Sequence, residues 1–160
     1  MGQTPGRGLL NASIRARAVV RSADVDCPTR LSNIVIYVLM RRPLELLSTF
    51  NSNASRIAIS SITLAELMHG AEKSERVNEN LVTIEDFCNR LAVLSYGAKA
   101  SQHYGAIRAV LEKLGKPIGV HELHIAGHAR SEGLVLVTHN VSEFKRVPAL
   151  ELENWVVDGQ

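Results

Sequence analysis

The chain has 160 residues, 46% hydrophobic and 21% charged, which fits one soluble domain with a sizeable core. Two cysteines, Cys27 and Cys88, are too few for a disulfide framework, and no run reaches the ~18–20 apolar residues of a membrane span. The net charge of +2 argues for no partner by itself, and it is uneven: residues 1–30 hold five arginines against Asp24 and Asp26, while the remainder is slightly acidic.

In chain order, residues 1–30 contain Gly2, Pro5, Gly6, Gly8 and Pro28 and no hydrophobic period. They are expected to be a divergent, largely disordered leader, with a strand near 18–25. The basic start lacks the apolar stretch of a secretory signal, although an Arg-rich, acid-poor start is compatible with a mitochondrial transit peptide. Ile34, Tyr37 and Val38 share a helical face that Pro43 ends. Residues 44–50 predict a short helix and 51–55 a polar loop.

Residues 56–60 alternate as a strand, with Ile57 and Ile59 on one face. A helix begins at Ser61, with Ser61 or Thr63 as cap and capping-box spacing from Thr63 to Glu66. Its expected buried stripe is Leu64, Leu67, Met68 and Ala71. Further helices are predicted over 77–91, over 98–114 before Gly115 and Pro117, and over 122–131 before Gly133. Strands are predicted at 92–94, 134–137 and 150–156. Strands alternating with helices predict an α/β fold, a small mostly parallel sheet flanked by helices. Ligands of such sheets sit beyond the carboxyl ends of the strands, where Glu66, Glu122 and Asn140 are candidates to converge.

Four ordered runs then carry a resemblance. They are NIVIYVL with RRP at 33–43, SSITLAELMHGAEKS at 60–74, IGVHELHIAGHA at 118–129 and VTHNVSEFKRV at 137–147. Residues 31–156 resemble a PIN-domain ribonuclease, most closely the VapC-type toxins of bacterial toxin–antitoxin pairs. The resemblance implies a single PIN-like domain over 31–156, with 157–160 as a tail. It implies a cytoplasmic, Mg²⁺- or Mn²⁺-dependent endoribonuclease acting on tRNA or mRNA, a cognate antitoxin partner, a homodimer and no membrane association.

By the same resemblance Glu66 takes the second acidic position and Glu122 the third, both as metal ligands. Asn140 takes the fourth, as a neutral oxygen or water-orienting group, and Ser32 is the site-adjacent hydroxyl, a residue that an N-cap role explains equally well. Hard cations favour such oxygen donors.

Two positions depart from the family pattern. Leu31 stands where the family has its first aspartate, and Asp26 lies up to roughly 16 Å away along an extended chain. Glu122 stands where aspartate is usual. A second reading therefore stays open: a catalytically impaired binding module, or remnant, that still binds an antitoxin. A third is a histidine-dependent metal protein, because His121, His124 and His128 share a helical face. His139 is a candidate phosphate contact. Arg41, Arg42, Arg108, Lys113, Lys116 and Arg130 are candidates for an RNA-facing edge, and the apolar helix 34–40 for a partner surface.

Overall fold

The computed structural model describes residues 44–53 and 57–155. The expected leader, the 18–25 strand, the 34–40 helix, Leu31, Ser32, Arg41, Arg42 and the tail lie outside these residues. Among the described residues there are six helices and four short strands: α1 (Leu44–Asn53), β1 (Ala58–Ser60), α2 (Ser61–Glu72), α3 (Val77–Cys88), β2 (Ala92–Leu94), α4 (Ala98–Lys113), α5 (Val120–Ser131), β3 (Leu136–Val137), α6 (Val141–Phe144) and β4 (Leu152–Glu153).

β1 pairs in parallel with β2, Ile59 opposite Val93. β3 pairs in parallel with β4, Leu136 opposite Leu152. Each pair is closed by helical crossovers, α2–α3 and α6 respectively, as parallel pairing requires. The expected α/β class with short parallel strands is borne out.

Adjacent residues on a strand point to opposite faces, and β3 uses this to divide the core. Val137 joins Phe50, Ile57, Ile59, Leu67, Ile84 and Phe87 in one cluster. Leu136 joins Ile107, Leu111, Ile125, Ala126 and Phe144 in the other. Helices α1–α3 cover the first cluster and α4–α6 supply most of the second. The largest helix contact is α4 on α5. At Gly127 a Cβ would stand 2.8 Å from Tyr104 N and 3.0 Å from Ala100 O, so the two backbones approach at a point that admits no side chain.

Several boundaries differ from the sequence reading. Residues 51–53 continue α1 instead of forming a loop, with Asn53 Nδ2 donating to Thr49 O at 2.8 Å. α2 is capped by Ser60, while Thr63 is fully buried. The stripe of α2 is Thr63, Leu67, Gly70 and Ala71, with Leu64 and Met68 only partly buried. α5 begins at Val120, so Glu122 is its third residue and not its first. α6 had no counterpart in the predicted elements. Gly115 and Gly133 take positive φ, 62° and 64°, the left-handed conformation that ends α4 and α5 as expected.

Candidate active site

β1 ends in Ser60, whose extended backbone (φ −70°, ψ 143°) turns directly into α2. The Ser60 hydroxyl accepts from Ile62 N at 3.1 Å, satisfying one of the orphan amides of the helix start. Glu66 follows on the second turn of α2, its side chain 18% exposed.

Glu122 comes from the first turn of α5 and is 2% exposed. The helix N-terminus favours a negative charge there. Its carboxylate folds back over Gly119, where a Cβ would lie 2.9 Å from the carboxyl carbon and closer still to Oε2. The absence of a side chain at 119 is what admits this carboxylate. The neighbouring His121 reaches α2, with its Nδ1 3.0 Å from Glu66 Oε1. The first turn of α5 and the second turn of α2 therefore meet, bringing the elements that bear Glu66 and Glu122 together.

Asn140 lies just past β3. Its backbone N–H donates to Thr138 Oγ1 at 2.9 Å, and its side-chain amide donates to Glu143 Oε2. Ser142 Oγ donates to Asn140 Oδ1 at 3.4 Å. These bonds are local and tie Asn140 to neither Glu66 nor Glu122. His139 Nδ1 is buried without a hydrogen-bond partner among the described residues.

The three histidines of α5 take separate partners. His121 meets Glu66, His124 Nδ1 lies 2.9 Å from the Tyr96 hydroxyl, and His128 Nδ1 lies 2.8 Å from Ser60 Oγ. Among the described residues no group of three or more His, Cys, Asp or Glu gathers as a metal cage. The histidine-centred zinc reading therefore finds no geometry. Burial lowers the pKa of both His124 and His128 below the usual imidazole value, favouring their neutral forms.

Of the candidate basic residues, Arg130 donates to His103 Nδ1 at 3.0 Å and to Pro148 O at 3.2 Å. Arg108 donates to Glu112 at 2.7 Å and to the Tyr104 hydroxyl at 3.0 Å. Lys113 and Lys116 are exposed.

Residues 32–150 match the PIN domain family. The chain is 58% identical over 125 residues to Ribonuclease VapC2 of Haemophilus influenzae, covering 78% of this chain and 95% of that one. The chain is a PIN-domain protein of the VapC ribonuclease family. It is also similar to the tRNA(fMet)-specific endonuclease VapC of Shigella flexneri, 47% identical over 124 residues, 78% of this chain and 94% of that one. The solved structure of DNA-bound VapBC from Salmonella typhimurium superposes with a TM-score of 0.77 at 44% identity, over 81% of this chain and 99% of that chain.

Within this PIN domain, the sequence singles out Glu66 and Glu122 as candidates but not Ser60, Tyr96 or Glu143. A hydroxyl at the junction of strand and helix is a legible cap signal for Ser60. The partner of Asn140, three residues on in the same run, is legible once α6 is known to form. Nothing in the local sequence reveals that Tyr96 reaches α5.

Proposed function

We propose that the chain hydrolyses RNA phosphodiester bonds with a divalent ion held by Glu66 and Glu122, that its substrate is tRNA, and that a cognate antitoxin restrains it. The observation that carries this reading is the meeting of α2 and α5 through His121 and Glu66, which delivers both carboxylate-bearing turns to one edge. Two carboxylates and an amide oxygen are a hard donor set. They suit Mg²⁺ or Mn²⁺ bound through one or two carboxylates with water completing the shell. When bound, the ion supplies an activated water and neutralises charge developing on the phosphate. The chain's own residues hold and aim. Glu122 is fixed by burial over Gly119, Glu66 is steadied by His121, and Glu143 fixes the orientation of the Asn140 amide. Lys113 and Lys116 offer phosphate contacts at the exposed end of α4.

The tRNA reading is supported by the similarity to a tRNA(fMet)-specific endonuclease, and the antitoxin by the similarity to VapBC. A homodimer and a cytoplasmic location are part of the same proposal. No helix among the described residues is long and apolar enough to cross a membrane.

Cleavage of a tRNA pool by the purified chain is expected with Mg²⁺ and is expected to cease with EDTA. Glu66→Gln should lower the rate by about 10²-fold or more, since misplacing a reacting group by ~1 Å already costs that much. Wild-type cleavage that Glu66→Gln leaves unchanged refutes the assignment. Leu31, in the position of the first aspartate, favours a second reading: a PIN module that binds an antitoxin without cutting. That reading predicts an inactive wild type, activity gained in Leu31→Asp, and antitoxin capture by both.

A further inference from the structure

One buried polar contact ties together the two helices that carry the carboxylates. Ser60, fully buried, caps the start of α2. The same Oγ lies 2.8 Å from Nδ1 of His128 on α5, although 68 positions separate them. His128 is 1% exposed, and the Tyr96 ring meets it edge-on at 5.5 Å. The Tyr96 N–H also donates to Ser61 Oγ at 3.0 Å, so the segment after β2 is fastened to the same point.

The two α2–α5 contacts define a register. Glu66 on α2 meets His121 on α5; six residues earlier, at the N-cap of α2, Ser60 meets His128, seven residues later on α5. The helices are thus antiparallel and clamped at two points about 9–10 Å apart along the axis. The outer clamp involves His121, whose side chain is 56% exposed, and a polar contact open to water constrains less than a buried one. The inner clamp is buried, and a buried polar group cannot trade its partner for water without a large cost. The inner clamp therefore sets how far α5 can slide along α2.

We propose that Ser60 and His128 are a positioning pair that fixes the spacing of Glu66 and Glu122 and thereby sets the affinity of the site for a divalent ion. This rests on the reading of those two carboxylates as ligands. Neither member of the pair touches the ion or the RNA in this scheme.

The test is Mn²⁺ titration of the full chain, with free Mn²⁺ followed by electron paramagnetic resonance and folding followed by thermal melts. His128→Leu and Ser60→Ala should each weaken Mn²⁺ binding by about 10-fold, the low end for loss of a supporting contact. The double variant should lose no more than either alone, as expected of one shared contact. His128→Asn places an amide atom where Nδ1 stands and should restore affinity to within about threefold of wild type, because the supporting bond is kept. Should His128→Leu fail to fold, Ser60→Ala and His128→Asn carry the comparison.

A merely structural bond predicts lower melting temperatures with Mn²⁺ affinity unchanged in Ser60→Ala and His128→Leu; that result overturns the proposal. Glu66→Gln separates the two levels. If wild type binds no Mn²⁺, or Glu66→Gln leaves binding unchanged, the ligand reading falls and the positioning role falls with it. If Glu66→Gln abolishes binding while the Ser60 and His128 variants retain it, only the positioning pair is refuted.

Discussion

Glu122 owes its place to a neighbour with no side chain. Gly119 has φ −60° and ψ 153°, a conformation that any residue adopts, so its role is space and not backbone freedom. Gly119→Ala puts a methyl where the Glu122 carboxylate sits. The far end of a flexible side chain will move, and the unfolded chain loses entropy, so the melting temperature should hold or rise slightly. Mn²⁺ affinity should instead fall by about 10-fold as the carboxylate is displaced. Parallel melts and Mn²⁺ titrations check this opposite behaviour. Equal affinity in Gly119→Ala and wild type would mean that the observed Glu122 orientation is not the one that binds.

Among the elements, α4 and α5 make the closest approach. At Gly127 the obstacles to a Cβ are Tyr104 N and Ala100 O, both backbone atoms, and neither can swing aside. Gly127→Ala must push the helices apart, opening the packing of Ile107, Leu111, Ile125 and Ala126. A loss of about 1–3 kcal/mol is expected, as for other overpacked sites, measurable by urea unfolding. A neutral result would show that α5 can rotate on α4.

The elements also show how far the chain order was legible. The period of Leu81, Ile84 and Phe87 correctly marked α3, and Gly133 its counterpart signal after α5. Strand lengths were not legible. An apolar run marks what can be buried, whereas a strand extends only where a neighbour supplies the ladder. Of residues 134–137, only Leu136 and Val137 pair with β4. The run 51–55 looked like a loop because Asn and Ser favour turns, yet Ser52 and Asn53 bond back to Ser48 and Thr49 and extend α1.

For the whole molecule, one buried and one half-buried histidine make stability depend on pH. Burial lowers the pKa of His128 and of His124 from the model-compound value of 6.5. A folded-state pKa below the unfolded one means that the unfolded chain binds protons first as pH falls. The stabilisation is complete above about pH 6.5 and is lost as pH drops through the lowered folded values, with a slope of up to about 1.4 kcal/mol per pH unit for each proton taken up. The melting temperature should fall between pH 7.5 and 5, and His128→Asn should flatten that slope. An identical slope in the variant would place the acid sensitivity elsewhere.

The sequence by itself determined the family and the α/β class and singled out two carboxylates as candidates, because each rests on a local pattern: a motif run, a hydrophobic period, an acid one or two turns into a helix. Only the tertiary structure decided what those carboxylates touch. His121 reaches Glu66 across 55 positions and His128 reaches Ser60 across 68. The three histidines share one helical face in sequence, which suggested a common ligand. In the fold they divide among Glu66, Tyr96 and Ser60, because within two turns that face meets α2, the segment after β2 and the junction of β1 with α2. A helical period fixes which side chains point the same way; what waits on that side is set by elements far along the chain.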